Sequence, residues 1–337
     1  MPASARLAGG AHPRSRCSPN FGIGPLVQSP GSWSWLSKRL PWLALLLAAG
    51  CDLSDRRPES GQDLPAGLVA YVEPDRASSL RLGEGVLYHS VRSGAEPWSL
   101  HLLEVDPTRC EVGFQVATTG TDEVLVPVSE LAGPPESGVV AAVNGDFFTA
   151  ENRPIGVEAS AGKVRGRSTP TAFAWQPGRL PSVDRVQWDG DSLKVGDFAL
   201  SASEPDGLTE ILSGYPPLLA DGQWVGDLLQ AERPAFASSR HPRTALGWDT
   251  ARRRVWIVVA EGRREGSAEG MTLPELAGLF LSLGATEALN LDGGGSSVMV
   301  VQGRRMSRPA GPTGERPVAN ALLVRVDSTY CQAAAPR

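Results

Sequence analysis

Asn290-Leu291-Asp292-Gly293-Gly294-Gly295-Ser296-Ser297 has the composition of a ligand-binding loop: a carboxylate ends an apolar run, three glycines follow, and two serines open the next run. Ordering three glycines costs more chain entropy than an ordinary turn requires. Their physical use is close approach of backbone to a ligand, with amide N–H groups aimed at an anion. Asp292 would act on that ligand from the strand end, while Gly293, Gly294, Gly295 and Ser296 line it. The alternative is a hairpin turn with Asp292 as its turn-forming side chain. No Gly-Lys-Ser/Thr follows, so the loop is not a nucleotide P-loop.

A second apolar run delivers Val143-Asn144-Gly145-Asp146-Phe147-Phe148. Asn144 would hydrogen-bond sugar hydroxyls and Asp146 would serve as acid, base or nucleophile; the alternative is an Asn-Gly turn with aromatic core plugs. In Ser239-Arg240-His241-Pro242-Arg243-Thr244, Arg243 offers a planar donor fork for phosphate and His241 a donor or acid; Arg240 reads as solvated. Glu261-Gly262-Arg263 follows another buried run and is a fourth candidate.

The elements that must position these groups are mostly strands. Short runs with partial alternation occur at 67–72, 85–91, 98–105 and 111–116, separated by turn residues. Gly138–Val143 and Val255–Ala260 are continuous apolar runs, as in strands covered on both faces. Residues 128–131 suggest a helical turn, and strand candidates in the middle lie at 172–175, 185–188 and 195–200. Residues 232–240 read as an exposed loop. The clearest helix begins at Thr272-Leu273-Pro274-Glu275, a capping box with Pro in the first turn. Leu276, Leu279, Phe280 and Leu283 then form one apolar face, and Gly284 is placed to cap it. Many short strands with few helices predict an α+β fold around a mixed sheet.

The chain has 337 residues, with 38 Gly and 28 Pro, which favours turns and short strands over long helices. The first 50 residues carry five basic and no acidic side chains, which leaves 27 basic and 37 acidic from residue 51 onward. So acidic a body argues against a nucleic-acid partner. Lys38-Arg39 precedes the apolar stretch Leu40–Gly50 and then Cys51. That is the shape of a secretory signal, too short to span a bilayer. The Leu-Ala-Ala-Gly-Cys ending resembles a bacterial lipoprotein cleavage box, in which Cys51 would carry lipid; the alternative is a plain signal peptide. The domain plan is a targeting segment at 1–50, an anchor and flexible tether at 51–66, a catalytic domain at 67–327 and a tail at 328–337. The segment before Lys38, long for a signal and rich in Ser, Pro, Gly and Arg, suggests a translation start downstream of Met1. In an oxidising compartment Cys110 and Cys331 would pair, or else stand as two buried thiols.

Together these pieces resemble the phosphodiester glycosidase family. The matching stretches are Val143–Phe148, the Gly214–Gly222 loop, Arg243–Gly247, the helix around Thr272–Gly284, Ala288–Ser297 and Arg316–Ala321, in family order over about residues 85–327. Glu261 departs from the Asp-Gly-Arg form more usual there. The resemblance implies hydrolysis of sugar-1-phosphodiesters, with a glycan or sugar-phosphate partner, and the N-terminal segment adds export to the cell envelope. Asp292 would be the principal carboxylate and Asp146 the second. Arg243, His241 and the amides of residues 293–295 would hold phosphate, and Asn144 and Arg316 would position sugar or phosphate oxygens; Arg316-Pro317 alternatively marks a strand entry. No cofactor is required by this chemistry. Two rival classes remain: a metal-dependent phosphodiesterase with Asp146, Glu261 and Asp292 around a divalent ion, and a non-catalytic glycan-binding lipoprotein.

Overall fold

The computed structural model describes residues 64–119, 124–168, 170–225, 228, 234–311 and 313–333. The targeting segment, Cys51 and most of the tether lie outside the described residues. The rest is a sheet-rich α+β fold in which every strand pairing is antiparallel. Its largest sheet runs, in spatial order, Pro74–Gly83, Val86–Ser93, Ser99–Val105, Arg254–Ala260, Arg243–Asp249, Glu287–Asn290, Pro217–Ala220 and Gln223–Trp224. A five-stranded sheet has Val139–Asn144 at its centre, between Met299–Val301 and Asn320–Val326. A seven-stranded sheet includes Thr171–Trp175, Glu210–Gly214 and Glu158–Ser160.

The apolar run Val255–Ala260 shows why this large sheet needs hydrophobic residues on both faces. Val255, Ile257 and Val259 point into a core shared with Phe114, Val143, Phe173 and Met299 of the other sheets. Trp256, Val258 and Ala260 point into a second core with Leu276, Leu279 and Phe280 of the helix Leu273–Ser282. Successive strand residues alternate faces, and each fully buried aliphatic side chain contributes ~1.5–3 kcal/mol. The helix carries the complete capping box: Glu275 N–H donates to Thr272 Oγ1 and Thr272 N–H to the Glu275 carboxylate. Gly284 follows with φ 86°, as a left-handed terminator.

Three expectations are corrected. Ala66–Val72 is a helix rather than a strand. Leu68 and Val72, four apart, are buried, while Val69 is 44% exposed. Gly67 permits the helix to dock, since a Cβ there would come within 1.7 Å of the Ser282 carbonyl oxygen; Tyr71 Oη donates to the Glu275 carbonyl at 2.8 Å. Residues 195–200 are not one strand: Gly196 and Asp197 turn the chain between the paired strands Ser192–Val195 and Phe198–Ser201. Within the expected loop before Arg243, Pro234–Ser238 forms a short helix. Cys110 and Cys331 are joined by a disulfide across 221 residues of sequence, which holds the C-terminal segment. Among the described residues no helix is long and apolar enough to cross a membrane.

Candidate active site

The strands Val139–Asn144 and Glu287–Asn290 belong to different sheets, yet their ends meet. Asp292 N–H donates to the Gly145 carbonyl at 3.0 Å. Asn144 Nδ2 donates to the Asp292 carbonyl at 2.6 Å, and its Oδ1 accepts from Thr244 Oγ1 at 2.7 Å and Val298 N–H at 3.2 Å. Asn144 is 0% exposed, so it does not reach sugar hydroxyls as expected. Its amide is spent on tying three strand ends together, and removing it would leave buried donors and an acceptor unpaired.

The two carboxylates differ in setting. Asp146 is only 4% exposed, which turns it away from solvent and into the protein. It accepts from Phe147 N–H at 2.7 Å, Gly156 N–H at 2.8 Å and Ser213 Oγ at 2.8 Å. Burial pushes its pKa up to about 7 against those donors, with nearby Glu158 adding to the rise. Asp292 is half-buried. Its carboxylate accepts from Gly293 N–H at 2.8 Å. Burial raises its pKa, and Ser296, Gly293 and the Arg316 charge oppose the rise. Asp292 is therefore the carboxylate presented at the surface of the site, while Asp146 braces the loop behind it.

The cations are distributed differently from the sequence-based expectation. Arg243 is 1% exposed. Its Nε donates to the Met271 carbonyl at 2.9 Å, and one terminal nitrogen donates to the carbonyls of Phe236 and Ser239 at 2.5 and 3.2 Å. It cannot present the open fork that bidentate phosphate binding requires, and burial lowers its pKa to about 10. His241 is half-buried, and burial together with Arg243 and Arg263 lowers its pKa, so it is neutral at pH 7. Arg240, read as solvated, is held by Glu96 and Glu275 at 2.6 Å each. Arg316 is an exposed cation near Asp292; it stacks over Phe148 at 4.7 Å and reaches Ser296 Oγ at 3.4 Å. Of the three loop amides expected to bind an anion, Gly293 N–H is taken by Asp292 and Gly294 N–H by the Pro242 carbonyl at 2.8 Å. Gly295 N–H makes no such bond among the described residues.

Asp146, Glu261 and Asp292, the ligand set of the rival metal reading, do not form a three-residue cluster among the described residues. Glu261 is bound by Ser99 Oγ at 2.9 Å, His101 Nε2 at 3.2 Å, Arg308 N–H and Arg264. Burial works against its charge, but those partners prevail and hold its pKa near 2. Among the described residues, the one cluster of three possible metal-binding side chains is Cys110, Glu111 and Cys331, whose sulfurs are already in the disulfide. Sequence reasoning missed Ser213 and Gly156 as partners of Asp146. Ser213 is a polar residue in the buried strand Glu210–Gly214, a faint signal that this hydroxyl has an internal partner.

The model of the family described as phosphodiester glycosidase matches residues 137–325, more than half of the chain. The chain belongs to the phosphodiester glycosidase family. Both paired loops and the strands that join them lie inside the matched region. Solved structures share the fold. The catalytic domain of zebrafish N-acetylglucosamine-1-phosphodiester alpha-N-acetylglucosaminidase, auto-inhibited by its pro-peptide, is 20% identical with a TM-score of 0.53, over 74% of this chain and 83% of that one. A candidate exported protein of Burkholderia pseudomallei K96243 is 18% identical with a TM-score of 0.53, over 70% and 74%. A hypothetical protein from Synechocystis is 16% identical with a TM-score of 0.52; 74% of this chain spans 64% of that chain's length. At these identities the likeness is one of fold. No curated protein matches the chain significantly.

Proposed function

We propose that this phosphodiester glycosidase family member is an exported hydrolase that cleaves the glycosidic bond of sugar-1-phosphodiesters on envelope or extracellular glycans. The observation that carries the reading is Asp292: a half-buried carboxylate held by Gly293 N–H, with exposed Arg316 beside it. In the proposed reaction the bond between the sugar's anomeric carbon and the phosphate oxygen breaks, and both electrons leave with the phosphomonoester. Water supplies the new hydroxyl. The leaving group is weakly basic, so strong acid assistance is less necessary than for an alcohol. What lowers the barrier is negative charge near the oxocarbenium-like carbon and positive charge at the phosphate. Asp292 supplies the first and Arg316 contributes to the second. His241, neutral at pH 7, is a hydrogen-bonding group rather than a cation.

The test is hydrolysis of a panel of sugar-1-phosphodiesters by the purified protein, with and without chelator. The expected products are free sugar and a phosphomonoester, unchanged by chelator. Activity confined to metal-loaded protein would replace this reading with metal-assisted hydrolysis. No turnover by folded protein, together with retained glycan binding, would replace it with a binding lipoprotein.

The basic and apolar run before Cys51 supports export and a membrane tether, and the Cys110–Cys331 disulfide suits an oxidising compartment. Palmitate labelling in a bacterial host checks the tether. Wild type is expected to take up label and sediment with membranes, and Cys51→Ser to lose both properties; undiminished label in the variant would refute the anchor.

A further inference from the structure

The Glu261-Gly262-Arg263 turn has no part in the scheme above. It leaves the strand Arg254–Ala260 directly and is fixed on three sides. Glu261 is locked inward by Ser99, His101, Arg264 and Arg308. Gly262 is pressed on Pro242: a Cβ there would lie 2.7 Å from that residue's nitrogen and Cδ, and 2.9 Å from the Glu269 carbonyl oxygen. Arg263 then adopts φ 60°, the left-handed region that non-glycine residues enter at a cost. The side chain this conformation displays is exposed and has no acidic partner among the described residues.

That guanidinium stands beside the glycine loop. One of its terminal nitrogens is 3.0 Å from where a Cβ on Gly294 would sit, and Gly294 itself has φ 61°. On the next residue, Arg316 Cδ is 3.5 Å from where a Cβ on Gly295 would sit. Two exposed arginine side chains thus flank the Gly294-Gly295 peptide, whose Gly295 N–H makes no backbone bond among the described residues. Arg316 shares its charge with Asp292, whereas that of Arg263 is uncompensated and contributes to the lowered pKa of His241. Two exposed cations on one glycine loop favour an anion bound there, and a planar guanidinium fork matches phosphate oxygens.

We propose that Arg263, Arg316 and the Gly295 amide form the phosphate seat of this site, and that Arg263 is the residue selecting a phosphodiester over an uncharged glycoside. The identity of the anion rests on the hydrolase reading; the seat itself does not. The charge count agrees with the reaction. A phosphodiester carries one negative charge, and the phosphomonoester formed as the C1–O bond breaks carries nearly two at pH 7. Two guanidinium groups therefore hold the group more tightly as its charge grows, which is differential binding of the transition state. Burial of Arg243 leaves this role to the arginine of the turn.

The experiment titrates inorganic phosphate into the full protein by calorimetry, for wild type, Arg263→Gly and Arg263→Lys. Glycine suits φ 60°, so Arg263→Gly removes the side chain without straining the fold, and a retained Tm checks this. Phosphate affinity is expected to fall at least ~10-fold in Arg263→Gly, with lysine intermediate because it keeps the charge and loses the fork. On a sugar-1-phosphodiester kcat/KM should fall ~100-fold, far more than on the uncharged aryl glycoside of the same sugar. Equal losses on the two substrates, unchanged phosphate affinity in Arg263→Gly, or no phosphate binding by wild type would overturn the proposal. If wild type cleaves no phosphodiester yet binds phosphate through Arg263, the seat stands and the hydrolase reading falls alone.

Discussion

Asp292→Asn should lower kcat/KM on a sugar-1-phosphodiester by ~1,000-fold or more while the protein stays folded. The estimate comes from the charge that is lost. A carboxylate about 4 Å from a developing oxocarbenium centre contributes ~4 kcal/mol at an effective dielectric of ~20, and ~4 kcal/mol is about three powers of ten in rate. The substitution is nearly isosteric. Oδ1 of Asn still accepts from Gly293 N–H, and the Ser296 hydroxyl can turn to suit the new amide. Burial raises the Asp292 pKa, so neutralising the group removes an unfavourable buried charge and gives no reason for unfolding. The measurement is phosphomonoester release under single-turnover conditions, beside a thermal melt. Near-normal turnover in a folded variant would remove Asp292 from the mechanism. A binding protein without catalysis would show a different pattern, with ligand affinity unchanged and no turnover in either form.

The sequence discloses the strands whose burial is local in cause and hides the elements decided at a distance. Val139–Val143 and Val255–Ala260 are apolar without interruption because both faces are covered, and that is visible in the chain itself. The capping box at Thr272 is visible for the same reason, since its partners are three residues apart. Ala66–Val72 is not. Leu-Val-Ala-Tyr-Val satisfies strand and helix patterns alike over so short a run, and what decides is the docking of Gly67 on Ser282, more than 200 residues away. The alternation around 195–200 continues through the hairpin at Gly196, whose φ of 53° makes the turn. The site follows the same rule. Both aspartates end apolar strands and precede turn residues, so local sequence marks them alike. What separates them is Ser213, 67 residues from Asp146, and Arg316 near Asp292. Arg243, Arg263 and Arg316 each stand in a plausible motif. Which of them reaches solvent depends on the carbonyls of Met271, Phe236 and Ser239, which occupy Arg243.

Stability should fall as pH rises from 5 to 7.5, opposite to the usual behaviour of paired carboxylates. Burial pushes Asp146 from 3.8 up to about 7. It also pushes Glu210 from 4.5 up to about 7, although Glu210 accepts from Val116 N–H at 2.7 Å and Ala161 N–H at 3.0 Å. Between pH 5 and 7 the unfolded chain has lost both protons and the folded chain keeps them. Their stabilising contribution is therefore complete below the unfolded pKa values and is lost as pH climbs through about 7. Each group contributes a slope of ~1.4 kcal/mol per pH unit in that window, so the two together give a fall of a few kcal/mol. Asp292, raised by burial, adds to the slope, and His241, lowered by burial, opposes it below its unfolded pKa. Glu261, held near 2, works in the other direction: its contribution is present above the unfolded pKa of 4.5 and is lost as pH drops towards 2. The stability maximum is accordingly expected near pH ~4, where the rise from Glu261 and the fall from Asp146 and Glu210 balance. Urea unfolding at half-unit steps of pH measures it, with Glu210→Gln as the diagnostic variant. The amide pairs imperfectly with two N–H donors, so its absolute stability is lower, but it cannot titrate. The slope between pH 5 and 7 should drop by about half, because one of the two groups that give it is gone. A flat or rising profile for wild type would show that these buried carboxyls ionise in the folded protein, through hydration or through their donors. The brace behind Asp292 would then carry a full negative charge throughout the working pH range.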